Sequence, residues 1–391
     1  MKIMIFTPNY LPATRYGGPV NAVHGLARGL VELGHEVTVL TTNVDGPDRL
    51  NVPLDRPIER HGVLVHYCPV TTPKRIYYSP ALAQLANRLA PQMDAVHING
   101  MFLWPGPYIA RVTRRANKTL IISPRGMLMP EFVAGKSRLT KLAWIALQER
   151  TNLAAAFTIH ATSESEAEGL RAIGLDLAPV AVIGNGVTLP ERLPTTAEID
   201  AIWGDVPVGR RVAFLARLDW TKGADLAIAA ARAHPNAVIR LAGHDQIGLQ
   251  AKLEPQLTRA NGSICGAFLG PLDGMRKWAL LAGADVLLVP SMRESFGVSV
   301  AEAMAMGTAV IATEGVGAST HLRRLDANLV VPRNQAALDV ALATLLAEDS
   351  RRTRIGRAAR EMAVTEFNWR GIAKQMSTLY RREQPTDERI V

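Results

Sequence analysis

The sequence predicts an α/β protein of two domains, each a mostly parallel sheet wrapped by helices. Three observations carry this. Short β-branched runs alternate with amphipathic helical stretches, the pattern of successive βα units. The alternation breaks once, at a proline-rich and charged stretch, and then restarts. Finally, 391 residues are too many for one ordinary core.

In order, residues 2–8 read as a strand and 21–34 as a helix with Val23, Leu26, Ala27, Leu30 and Val31 on one face. Residues 36–42, 63–70, 95–99, 120–123, 157–161 and 180–183 read as further strands. Helical patterns cover 80–89, 107–116, 139–151 and 164–173. Pro190, Pro194, Pro207 and Gly209 then mark a linker, 191–209, with at most one short helix. The second series has strands at 211–216, 238–243, 266–269, 286–290 and 309–313. Its helices fall at 224–234, 275–282, 298–306 and 335–347. The expected domains are therefore 1–190 and 210–365, with a last amphipathic segment over 366–385.

Composition narrows the class. At 48% hydrophobic and 20% charged residues the chain is too apolar for disorder. Cys68 and Cys265 stand far apart and outside metal-ligand spacing, so a reducing, cytoplasmic setting is expected. The apolar N-terminal run stops at Pro8 with no cleavage site behind it, and no run of about 18 apolar residues exists. A soluble or peripheral protein is expected. The net charge of +9 suits an anionic substrate or membrane surface. Nucleic acid is not expected, for no basic stretch is interleaved with aromatics. The arginines from Arg351 to Arg360 read as the solvated face of a helix.

The sharpest chemical signal runs from Pro290 to Gly307. A strand ends, a loop carries Glu294, Ser295, Phe296 and Gly297, and an apolar helix follows in which Glu302 is the only ionisable residue. A buried carboxylate needs partners. Ribose hydroxyls supply them, as in dinucleotide folds, and a neighbouring cation is the structural alternative. Glu294 falls at the carboxyl edge of the sheet, where open α/β folds bind ligands. The amides of Ser295, Phe296 and Gly297 suit an anion at a helix N-terminus. Arg217 and Lys222 form a second signal: a fork and a point charge beside a strand end, suited to a diphosphate. Gly17-Gly18 follows the first strand and would let a backbone approach a ligand, or would serve the turn alone. Arg125, between Pro124 and Gly126 at a strand end, is a candidate catalytic residue. His97 and Asn99 close another strand and are candidate ligand contacts, whereas a histidine near a strand end, His160 included, is more often structural. No Asp-x-Asp triplet, Walker loop, His-Glu-x-x-His or Gly-x-Ser-x-Gly occurs, so no metal site is expected.

Together these residues resemble the retaining GT-B glycosyltransferases, family 4 (glycosyl transferase group 1). The resemblance runs through Tyr16-Gly17-Gly18, Gly34-His35-Glu36, Asn185-Gly186, Arg217 with Lys222-Gly223, Leu241-Ala242-Gly243, Glu294 with Glu302, and Glu366-Phe367-Asn368-Trp369. It implies two Rossmann-like doubly wound domains facing across a cleft, with the last helix crossing back to the N-terminal domain. It also implies a nucleotide-diphosphate-sugar donor, a hydroxyl acceptor on a glycan or lipid carrier, no metal cofactor and retention at the anomeric carbon. Arg217 and Lys222 would hold the diphosphate, Glu302 the ribose and Glu294 the donor sugar, while Ser295–Gly297 amides would cap phosphate. Gly17 and Gly18 would reach the diphosphate from the other domain. Such enzymes often build bacterial exopolysaccharide or lipopolysaccharide, at times against the inner membrane. The basic and apolar stretch 136–144 would suit an anionic membrane, or equally a buried helix with a basic outer face. Two departures stand out. Arg125 lies where many relatives carry a histidine, and Gly184 stands where proline is frequent. An epimerase or phosphorylase of similar architecture, or a non-catalytic nucleotide- or glycan-binding protein, are the competing readings.

Overall fold

A computed structural model of the chain describes residues 1–383. The chain divides into two compact units, residues 1–186 with the C-terminal segment from Trp369, and residues 187–368. Of the segment expected over 366–385, residues 384 and 385 lie outside the described residues.

The first unit holds β1 (Lys2–Phe6), β2 (Glu36–Thr42), a small hairpin of β3 (Val44–Asp45) and β4 (Asp48–Arg49), β5 (Ile58–Arg60) and β6 (Val63–Cys68). It continues with β7 (Ala95–Asn99), β8 (Thr119–Ser123), β9 (Thr158–Ala161) and β10 (Val180–Val182). Eight of these form one sheet in the order β10-β9-β8-β7-β1-β2-β6-β5. Every pairing in it is parallel except that of β5 with β6. The hairpin and β5 carry no hydrophobic run, which is why period alone does not reveal them. Strands β1, β7 and β8 are buried almost throughout, as parallel strands covered on both faces must be.

The helix Gly18–Glu32 packs Val23, Leu26, Ala27 and Leu30 into a cluster shared with Ile372, Ala373, Met376, Leu379 and Tyr380 of the last helix, Trp369–Tyr380. Each large apolar side chain buried here contributes roughly 1.5–3 kcal/mol. The helix docks because Trp369 has a slot. An added Cβ would stand 2.1 Å from its indole at Gly25 and 2.5 Å at Gly186.

One helix expected over 139–151 is broken into three pieces: Arg138–Trp144, a π turn Ile145–Glu149, and Arg150–Ala154. The first piece buries no residue, which removes the alternative of a buried helix with a basic outer face. Leu139 is 81% exposed and Leu147 79%.

The second unit holds β11 (Arg211–Leu215), β12 (Val238–Ala242), β13 (Gly266–Gly270), β14 (Val286–Val289), β15 (Ala309–Thr313) and β16 (Val330–Val331), in the order β13-β12-β11-β14-β15-β16. All pairings are parallel. The order reverses between β11 and β14, a topological switch point of the kind that opens a ligand crevice. Residues 191–209 fall in this unit. Their helix, Thr196–Trp203, begins with a capping box between Thr195 and Glu198. Trp203 is fully buried, with its indole N–H donating to the carbonyl of Leu280. The arginine run lies on helix Asp349–Glu366. Arg352 departs from the expected solvated face: it is buried and pairs with Asp349 at 2.5 Å and Asp285 at 3.4 Å.

No helix among the described residues is long and apolar enough to cross a membrane.

Candidate active site

In the second unit the candidate residues gather at the carboxyl edge of β11, β14 and β15. Lys222 ends a short turn after β11 and Gly223 follows with φ 73°. A Cβ at Gly223 would meet the Pro290 carbonyl at 2.4 Å, so only glycine lets this turn lie on the end of β14. The Thr221 carbonyl accepts from the amide of Met292 at 2.6 Å and fastens the two loops. This brings the Lys222 ammonium 2.7 Å from Glu294 Oε1, which also accepts from the Ser291 hydroxyl at 3.1 Å. Both partners are mostly covered. The Glu294 backbone is stitched to the loop after β15: its amide donates to Gly315 and its carbonyl accepts from Gly317. Phe296 is buried edge-on against Phe367, anchoring the loop beneath. Gly297 caps helix Val298–Met306, so Ser295 and Gly297 stand at that helix's amino end.

Glu302 is buried on that helix and its Oε1 accepts from Lys277 Nζ at 2.6 Å. Lys277, on helix Gly274–Gly283, also lies 4.4 Å over the Trp278 ring. Sequence reasoning missed Lys277. The need of Glu302 for a cation was the available signal, but the partner is 25 residues away on another element. Glu302 Oε2 accepts no hydrogen bond among the described residues. Arg217 is exposed at the end of β11 and makes no ion pair among the described residues.

In the first unit, Gly17 caps helix Gly18–Glu32 at φ 64°, with open space beside it. Deeper in the sheet, three strand ends are tied in two layers. In the outer layer Arg125, at φ 55°, donates from Nε and Nη2 to Asn99 Oδ1 at 3.0 and 2.8 Å, and from Nη1 to Asn185 Oδ1 at 2.8 Å. Glu166 fixes the turn by accepting from the Gly126 amide, and its other oxygen takes Thr162. Burial draws the Arg125 guanidinium below its ordinary range, opposed by nearby Glu166 and Tyr380.

The inner layer is a chain of side chains. Tyr380 Oη lies 2.8 Å from His97 Nδ1, and His97 Nε2 lies 2.6 Å from Ser123 Oγ. That oxygen is 2.6 Å from His160 Nδ1, whose Nε2 is 2.8 Å from the Ile183 carbonyl. Burial, the neighbouring histidine and Arg125 push His97 well below 6.5, and burial with Arg125 takes His160 to about 3. Both rings are therefore neutral, with one donor and one acceptor each. A carbonyl only accepts, so His160 carries its proton on Nε2 and its Nδ1 accepts from Ser123. Ser123 then accepts from His97 Nε2, and His97 Nδ1 accepts from Tyr380. The whole chain points one way.

Two expectations are corrected here. His97 is fully buried with both ring nitrogens engaged, so it offers no atom to a ligand. Asn99 is 3% exposed, and its Oδ1 holds Arg125 while its Nδ2 donates to the Phe6 carbonyl. It orients Arg125 and does not present itself to a sugar. Asn185, which sequence reasoning quoted without a role, completes the clamp.

Residues 17–186 match the model of the glycosyl transferase 4-like domain, and residues 198–362 match glycosyl transferases group 1. The chain belongs to the group 1 glycosyl transferases. A glycogen synthase of Mycobacterium tuberculosis is 25% identical over 418 residues, covering 97% of this chain and 94% of its own. A phosphatidyl-myo-inositol mannosyltransferase of Mycolicibacterium smegmatis is 27% identical over 386 residues, covering 93% and 90%. Among solved structures, sucrose-phosphate synthase from Thermosynechococcus elongatus superposes with a TM-score of 0.76 at 22% identity, over 97% of this chain and 98% of that one. Anabaena HepE, solved in complex with UDP and glucose, gives 0.75 at 20% identity, over 96% and 98%. The fold of this group 1 glycosyl transferase is GT-B.

Proposed function

We propose that this glycosyl transferase moves a sugar from a nucleotide-diphosphate-sugar to a hydroxyl acceptor, with retention at the anomeric carbon and without a metal. The observation that carries this reading is the sheet edge of the second unit, where Lys222, Glu294, the exposed Arg217 and the amino end of helix Val298–Met306 converge. Departure of a nucleoside diphosphate leaves charge on phosphate. Arg217 takes two of its oxygens in a fork, Lys222 supplies a point charge, and the Ser295–Gly297 amides cap a third. A fixed cation and helix amides do here what a divalent metal does elsewhere. Glu302 accepts from the ribose through Oε2 while Lys277 holds Oε1. Glu294, steadied by Lys222 and Ser291, contacts the donor sugar. In the first unit, Arg125 is the sugar-contacting candidate, standing where many relatives carry a histidine, and Gly17-Gly18 is the loop whose backbone a ligand can approach. Glu294 is already spoken for by a cation and a hydroxyl, which favours attack from the leaving-group face over a carboxylate nucleophile. The relative that uses phosphatidyl-myo-inositol and the structural neighbour described as a glycosyltransferase of lipopolysaccharide biosynthesis support a glycan or lipid-linked acceptor in surface polysaccharide assembly.

The decisive measurement is calorimetric titration with nucleoside diphosphates and nucleotide sugars, with and without EDTA, on wild type and Glu302→Ala. One nucleotide binds regardless of chelator and weakens at least ~10-fold in the variant, as loss of a charge-assisted hydrogen bond requires. No binding of any nucleotide would sink the transferase reading.

A peripheral contact with an anionic membrane rests on one further observation. Helix Arg138–Trp144 and the turn after it expose Leu139, Leu142 and Leu147 beside Lys136, Arg138 and Lys141. Flotation with anionic liposomes at low salt tests it, and failure to float rejects it.

A further inference from the structure

Arg125 is held at a strand end of the first unit by amide oxygens only. Asn99 and Asn185 are neutral, and the guanidinium makes no ion pair among the described residues. Glu166 lies near enough to be felt, yet its two oxygens are taken by the Gly126 amide and by the Thr162 amide and hydroxyl. A guanidinium has five N–H groups. Three point at Asn99 and Asn185, and two have no acceptor among the described residues. The residue as a whole is half-buried.

The clamp is built to aim this group. Beneath it, the chain from Tyr380 through His97, Ser123 and His160 to Ile183 locks the same three strand ends two residues earlier. His97 precedes Asn99, Ser123 precedes Arg125, and Ile183 precedes Asn185. Holding a cation this rigidly against neutral oxygens wastes its charge unless an anion completes the set. The two left over are one on Nη1 and one on Nη2; a guanidinium can give two such groups to two oxygens of a carboxylate or a phosphate, whereas a single hydroxyl uses only one. Lysine would not supply that geometry.

We propose that the sugar taken up at this sheet edge carries an oxyanion, a carboxylate or a phosphate monoester, received by the two remaining N–H groups of Arg125. This rests on the reading of the sheet edge as a sugar site and adds the chemical class of its substrate. Neutral sugars leave the cation unmatched and bind weakly. Asn99 and Asn185 are positioning residues for Arg125, which alone touches the anion.

The test is titration of the whole protein, followed by ligand-observed NMR, with glucose, glucuronate, glucose 6-phosphate and inorganic phosphate. The proteins are wild type, Arg125→Gln and Arg125→Lys. In wild type, glucuronate or glucose 6-phosphate binds at least ~10-fold more tightly than glucose, the size expected of a hydrogen bond to a charged group. The preference vanishes in R125Q and is cut but not abolished in R125K, whose point charge lacks the fork. R125K also guards against misfolding, since a merely unfolded R125Q would leave its intermediate behaviour intact. Preference for glucuronate assigns a uronate, and preference for glucose 6-phosphate assigns a phosphate monoester. Equal binding of all sugars, unchanged binding in R125Q, or inorganic phosphate matching glucose 6-phosphate would each overturn the proposal. Titration of a nucleoside diphosphate against wild type is run beside it. If no nucleotide binds while the anionic sugar still does, the transferase reading fails and the anion site stands.

Discussion

The Tyr380 hydroxyl donates to His97 Nδ1 at 2.8 Å, joining residues 283 apart in sequence across the first unit. It is the head of a one-way chain that ends on the Ile183 carbonyl. Tyr380→Phe removes the donor but keeps the ring, so the apolar packing of the last helix survives. His97 Nδ1 is then a buried acceptor without a partner. The expected cost is about 1–3 kcal/mol, read as a lower denaturation midpoint with an unchanged m-value. A midpoint equal to wild type would show that the bond contributes nothing.

The same chain dictates a pH dependence. His97 and His160 lie below 6.5 in the folded protein, and burial with the His61 charge takes His24 to about 4. The unfolded chain therefore binds more protons than the folded one between about 3 and 6.5. Stability is complete above 6.5 and falls as pH drops below it, by up to about 1.4 kcal/mol per pH unit for each such group. Glu149 works the other way. Burial raises it from 4.5 to about 7, so its contribution is present at low pH and is lost as pH rises through that window. Thermal melts from pH 7.5 to 4.5 should show melting temperature falling toward acid, and more steeply once Glu149→Gln removes the opposing group. A flat profile in both proteins would mean the histidines are already accessible to protons.

The alternating strands and helices were legible because parallel strands covered on both faces are continuous apolar runs and their crossover helices are amphipathic. β5 and the β3–β4 hairpin were not, for short polar edge strands carry no such signal. The motif residues of the second unit could be named from local pattern, but the Lys222–Glu294 contact joins residues 72 apart and is made by a turn seated on Pro290. His97 misled for a definable reason. A polar residue near the end of a central strand can face the ligand edge or bond laterally within the sheet, and only the neighbouring strands decide. Here Ser123 and Tyr380 take both nitrogens. Arg352 misled in the same way, since nothing local in an arginine run tells which member turns inward.

Arg352 also makes a prediction of its own. It is 7% exposed and donates to the carbonyls of Leu345 and Leu346 and to Asp349. Its Nε lies 3.4 Å from Asp285, a buried carboxylate that also accepts from the Gly209 and Arg211 amides. Arg352→Ala leaves Asp285 without its cation and two carbonyls without a donor. The expected loss is about 3–5 kcal/mol, whereas Arg357→Ala on the same helix, an exposed position, changes stability by less than about 0.5 kcal/mol. Chemical denaturation of the two variants compares them directly, and similar losses would refute the distinction.

The Lys222–Glu294 pair offers the sharpest test of the candidate site. If the ammonium steadies the leaving diphosphate while Glu294 holds the sugar, each needs the other in place. Removing either should lower kcat by roughly 10²–10³-fold, the scale of losing one preorganised charge stabiliser. Residues that act as a unit are non-additive. Lys222→Ala with Glu294→Gln together should therefore cost little more than the worse single change. Stability gives an independent reading, because the two side chains touch at 2.7 Å and should show a coupling of about 0.5–3 kcal/mol in a double-mutant cycle. A double variant whose kcat loss equals the product of the single losses would mean that the two act separately, and that their contact serves the loop rather than the reaction.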